Sequence, residues 1–163
     1  MGVHQQLWNR NELLSQGLLQ PSAPGTDQDE GKLEIAVLFT SAKATLAAIE
    51  TAATLTKGLD GPLSLIGAQP VPYPLPLEKP PVSLTFTSQR LLEVAAHSPV
   101  EMSVHLCVCR CRYAALLSLL RPGSMLLIGG RKTWWPTWER KLAKELRRDG
   151  LDVVLLEIGR ETS

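Results

Sequence analysis

The chain has 163 residues, 44% of them apolar and 20% charged; that is enough for one domain with its own core and too ordinary for a disordered chain. A net charge of +1 excludes a global field that would gather nucleic acid or an acidic membrane. No stretch approaches the roughly 20 apolar residues of a membrane span, and Met1–Asn11 lacks the basic and hydrophobic regions of a secretory signal. The three cysteines crowd into positions 107–111 instead of forming a spaced disulfide framework, so a cytoplasmic location is expected.

Residues 1–31 read as a flexible N-terminal extension. Trp8, Leu13, Leu14, Leu18 and Leu19 allow a weak amphipathic turn, and positions 21–31 are linker-like, with almost nothing to bury. The domain proper is expected over 32–163. Its first strand is the apolar run Leu33–Phe39, covered on both faces. A helix over Ala42–Lys57 follows, capped by Thr40 or Ser41 and stopped at Gly58. Asp60, Gly61 and Pro62 form a turn, and Leu63–Ala68 is a second strand. Six prolines between Gln69 and Pro81 make that segment a stiff extended loop.

A helix is expected over Leu84–His97, then a third strand over Val100–Cys109. Its Met102, Val104, Leu106 and Val108 alternate with Ser103, His105, Cys107 and Cys109, the pattern of a sheet edge. Arg112–Leu120 is a helix, Met125–Ile128 a fourth strand closed by Gly129 and Gly130, and Pro136–Arg148 a basic helix ended by Gly150. On that helix Trp135, Trp138, Leu142 and Leu146 follow helical spacing, which places two indoles in the core. Trp134 falls off the stripe; packing in the core or on the proline-rich loop through Tyr73 is expected, the alternatives being to cover a crevice or stack on a ring. Leu151–Ile158 is the fifth strand. Five strands separated by helices imply right-handed βαβ crossovers and a parallel sheet.

The apolar opening strand, the element order, and a fourth strand ending in Ile128, Gly129 and Gly130 before a basic helix resemble the universal stress protein family over about residues 33–158. The resemblance implies a Rossmann-like three-layer sandwich of strand order 3-2-1-4-5, a homodimer formed through the last strand over Val153–Ile158, a place in the stress response, and a nucleotide site. The family's nucleotide-binding members carry an acidic residue after strand 1 and a glycine-spaced run after strand 4. Here strand 1 leads into Phe39, Thr40 and Ser41, and no glycine follows Gly130 before Gly150. ATP held in the family's usual manner is therefore not expected, and no resident cofactor is assigned.

In an open parallel sheet the ligand crevice lies at the strand carboxyl ends where the strand order reverses. Thr40, Ser41, Gly129 and Gly130 would line it with donors, and Arg131 and Lys132 would supply charge to a nucleotide or another small anion; the alternative is a tight turn followed by solvated basic residues. Cys107, Cys109 and Cys111 with His105 invite a redox reading. Metal is not expected, because residues two apart on a strand do not bend around an ion as C-x2-C turns do. From Arg110 to Arg148 ten cations face only Glu139 and Glu145, yet no recognition motif accompanies them, so nucleic acid is not an expected partner. No Ser-His-Asp set, Cys-His set or paired carboxylates indicate an enzyme. The expected function is a non-catalytic regulatory protein with a small anionic ligand. The alternatives are a protein-interaction module or a thiol sensor.

Overall fold

The computed structural model describes residues 34–57, 63–121 and 123–159, together with the backbone of Gln6 and Leu7. Five strands, β1 (Ile35–Leu38), β2 (Leu63–Pro70), β3 (Met102–Cys109), β4 (Met125–Arg131) and β5 (Asp152–Ile158), alternate with four helices, α1 (Ala42–Thr56), α2 (Leu84–Ala96), α3 (Arg112–Leu119) and α4 (Trp138–Arg148). These five pair in parallel, in the order β3-β2-β1-β4-β5, and a two-residue strand at Gln6–Leu7 joins the sheet beyond β3. The doubly wound α/β sandwich and strand order expected from the sequence are those observed. No helix among the described residues is long and apolar enough to cross a membrane.

Strand parity explains the layers. Side chains alternate across a strand, so Ile35 and Val37 face α1 and α2, joining Ala48, Ile49, Ala52, Leu91 and Val94. Ala36 and Leu38 face the opposite way, toward Leu116 and Leu120 at α3 and Leu142, Ala143 and Leu146 of α4. Every residue of β1 is buried, which is why this central strand reads as a continuous apolar run. Its register against Leu63 in β2 and Met125 in β4 brings the carboxyl ends of three strands to one rim.

Several boundaries differ from the sequence expectation. β2 runs on to Pro70, and β4 continues through Gly129 and Gly130 to Arg131, because Arg131 still has a ladder partner in Ile158. α4 starts at Trp138, with Thr137 as its cap and Pro136 outside. It ends at Gly150 as expected: Gly150 takes φ +86°, a conformation costly for a side-chain-bearing residue, and Leu151 N donates back to Leu146 O in a Schellman-like cap.

The proline-rich loop is not extended. Leu75 N donates to Pro72 O and Lys79 N to Pro76 O, giving two successive turns, and the Tyr73–Pro74 bond is cis. The loop folds back because Val71 and Leu77 bury against Val108 and Leu84, a gain that proline stiffness alone does not forecast.

β3 holds one edge, as its alternation implied, but only its first half is one-sided. Cys107 and Cys109 are buried beneath Ala115 of α3. Gln6 and Leu7 pair antiparallel with Val108 and Cys107, so the edge is partly covered. The expected helical turn and linker within 8–31, and the turn at 60–62, lie outside the described residues.

Candidate functional site

At the carboxyl rim, Thr40 and Ser41 follow β1 directly. The Thr40 hydroxyl donates to Gly129 O at 2.6 Å, and its backbone N–H donates to the hydroxyl of fully buried Thr45 at 3.0 Å. Ser41 caps α1, its hydroxyl accepting from Ala44 N at 3.4 Å. Gly129 is buried against the first turn of α1; a Cβ there would stand 2.6 Å from the Ala44 carbonyl carbon and closer still to its oxygen. Gly130 faces Glu139 and Leu155, with its nearest neighbour 3.5 Å from such a Cβ.

Thr40, Ser41 and Gly129 thus meet, and they meet one another. Their donors and the missing side chain serve the contact between helix and strand. Arg131 and Lys132 are exposed and lie on the other flank, where Lys132 N donates to Ile158 O at 2.9 Å. Of the six candidates, Lys132 also lines the cavity described next.

Open space lies beside them. Lys132, Thr133, Trp134, Trp135 and Arg140 line a cavity of about 370 Å³, within the size range of small-molecule sites. Arg140 organises it. Its Nη2 donates to Thr133 O at 2.7 Å, its Nη1 to Trp135 O at 3.2 Å, and its Nε to the Glu157 carboxylate on β5. Thr133 closes the loop by donating its hydroxyl to Trp135 O at 3.0 Å. The hydrogen bond from Arg140 holds the Glu157 carboxyl below the usual carboxylate range, with nearby Lys132 acting in the same direction.

The tryptophans correct the sequence expectation. Trp135 and Trp138 are 47% and 40% exposed, and Trp134 is 88% exposed. The buried residues of α4 are Leu142, Ala143 and Leu146. That stripe begins one turn inside the helix, whose first residue is Trp138. The Pro136-Thr137 pair, a start signal for a helix capped by Thr137, carries this information. Trp134 packs edge-to-face on Trp135, with ring centroids 5.1 Å apart, and not on Tyr73.

The rim continues toward β3. Arg112, first residue of α3, places its guanidinium 4.4 Å from the Trp138 ring centroid. Two residues away, Arg110 stands 4.1 Å from the centroid of Tyr73 and donates to Val71 O and Leu75 O at 3.0 and 2.6 Å. Tyr73 is 77% exposed. Behind the sheet, Arg90 lies over Phe39 and Phe86. Neither the pairing of Arg140 with Glu157 nor these ring contacts could be read from spacing, because each joins different elements.

The thiols separate by environment. Cys107 and Cys109 are buried, and Cys111 is exposed at the start of α3. A hydrogen bond between the first two, reinforced by burial, pushes the Cys109 thiol well above its usual range; the same bond lowers Cys107 against the effect of burial. His105 is exposed and does not join them, and no cluster of potential metal ligands occurs among the described residues. A chromogenic disulfide reagent is expected to titrate Cys111 rapidly and Cys107 and Cys109 only as the protein opens. Two fast thiols in this segment would contradict that burial. No protein-family model and no curated protein matches this sequence.

Proposed function

We propose that the chain is a non-catalytic, universal-stress-like regulatory protein that takes a small planar anion, a nucleotide being the model case, in the cavity between Lys132 and Arg140. The observation that carries this reading is Trp134, 88% exposed at a formed cavity. An indole gains more by burial than most side chains, so one left in solvent beside a cation and an open space is suited to stack on a ring that arrives from outside. Lys132 supplies charge to a phosphate, while Arg140 is committed to holding the loop. The cavity lining combines two indoles with Lys132, Thr133 and Arg140, the mixture of apolar surface and a few polar groups that a binding site uses.

Under this reading Thr40, Ser41, Gly129 and Gly130 act by fixing α1 and β4, not by touching the ligand. Homodimerisation through β5, whose outer edge has no partner strand among the described residues, and a cytoplasmic location belong to the same proposal. Titration of tryptophan fluorescence with ATP, AMP and inorganic phosphate is expected to show saturable change with the nucleotides. Trp134→Ala should weaken that binding at least about tenfold, the scale of a lost aromatic stack. No saturable change across the panel would remove the small-ligand reading. A protein-docking alternative draws on Tyr73, Leu75, Val82 and Phe86, all exposed on or beside the proline-rich loop.

A further inference from the structure

We infer that the carboxyl rim is a track for single-stranded nucleic acid, of which the cavity at Trp134 is one end; the inference extends the ligand reading above from one nucleotide to several. Along the rim, rings and cations alternate. Trp134 and Trp135 are in contact, and Trp138 follows three positions on. Arg112 covers Trp138, Arg110 is two residues from Arg112, and Arg110 covers Tyr73. All four rings are exposed by 40% or more.

Two physical arguments choose the occupant. Each ring keeps much of its surface in water, at a cost that stacking a base would recover, and every base offers a face irrespective of sequence. The same rim carries Arg110, Arg112, Lys132 and Arg140, against Glu139 and Glu157, and Glu157 is taken up by Arg140; Glu78 and Lys79 on the proline-rich loop offset each other. An excess of cations interleaved with exposed rings fits a phosphate backbone with splayed bases. A duplex keeps its bases stacked inside and cannot offer their faces to these side chains. An acidic peptide would satisfy the cations and leave the rings uncovered. The absence of a recognition motif in the sequence is compatible with this mode, since stacking and charge need no base-edge contacts.

The test is fluorescence anisotropy of the full chain with a labelled 12-nucleotide oligo(dT), the matching oligo(U), the dT·dA duplex of equal length, and polyglutamate as an acidic competitor. Single strands are expected to bind at least about tenfold more tightly than the duplex or ATP. Tyr73→Ala and Trp138→Ala should each lower oligonucleotide affinity about tenfold, the loss of one stacked base, while leaving ATP binding unchanged. The dependence of log K on log salt should have a slope of about −2, as for about three phosphates on a single strand, shallower in Lys132→Ala.

Equal affinity for single strand, duplex and polyglutamate would overturn the track, as would indifference to both ring variants in proteins of unchanged melting temperature. Since both rings are exposed, their truncation leaves the core intact; should either variant melt early, the salt slope of Lys132→Ala decides. ATP binding without any gain from chain length would sink the track alone. Oligonucleotide binding that depends on Tyr73 and Trp138, with no ATP binding, would sink only the small-ligand reading.

Discussion

Gly129→Ala is expected to lower the unfolding free energy by about 3 kcal/mol, at the upper end of overpacking effects, whereas Gly130→Ala should change it by less than about 1 kcal/mol. The two glycines are adjacent on β4 and look equivalent as a Gly-Gly pair. Their surroundings are opposite. At Gly129 an added methyl group meets the Ala44 carbonyl, which belongs to the backbone of α1 and cannot rotate away. Relief requires the helix to lift from the strand, which would stretch the bond from Thr40 to Gly129 O and disturb the Ser41 cap. At Gly130 the same methyl group finds ordinary van der Waals contact with Glu139 and Leu155. Urea unfolding of both variants checks the contrast. Equal destabilisation would mean that α1 does not seat on Gly129. The pair also tests the role of these residues: a phosphate-cradling glycine would affect ligand binding when substituted, while a packing glycine affects stability first.

Arg140→Ala is expected to weaken nucleotide binding by about tenfold or more while lowering the melting temperature by only a few degrees, as for an exposed position. The guanidinium is the one group that bonds Thr133 O, Trp135 O and the Glu157 carboxylate together. Without it the loop from Lys132 to Trp135 loses two of its fixings and their tie to β5 through Glu157, and the cavity must be organised at the ligand's expense. Arg140→Lys should restore little, because an ammonium cannot present the planar fork that reaches three acceptors.

Glu157 provides an independent check through pH. Its folded-state pKa is depressed, so whatever stabilisation it lends is present above the ordinary glutamate value of about 4.3 and is lost as pH falls through the lower, folded value. The difference in melting temperature between the native protein and Glu157→Gln should therefore be constant from pH 7 to about pH 5. It should fade only in more acidic solution. A difference that grew on acidification would mean that the carboxylate is not held by Arg140.

Much of the architecture was legible because it rests on burial, and burial leaves a local trace. A strand covered on both faces must be apolar at every position, as Ile35–Leu38 is, and a strand at an edge is free to alternate, as Met102–His105 does. Helices of eight to fifteen residues between such runs leave little choice but parallel crossovers. The strand order itself came from the family resemblance, with the alternating third strand consistent with an edge. The caps at Ser41 and Gly150 were equally visible, since each depends on residues within one turn.

The site was not legible in that way, because its contacts join residues far apart in sequence. Thr40 meets Gly129 across 89 positions and Arg140 meets Glu157 across 17, and only the register of β4 beside β1 and β5 brings these partners together. Helical periodicity placed Trp135 and Trp138 on the apolar stripe of α4. It could not show that full burial begins only one turn inside the helix, at Leu142, leaving both indoles partly in solvent. Periodicity reports which face of a helix is apolar; how far the neighbouring layer extends beneath that face is a property of the assembled fold, and it decided that these rings stand in solvent.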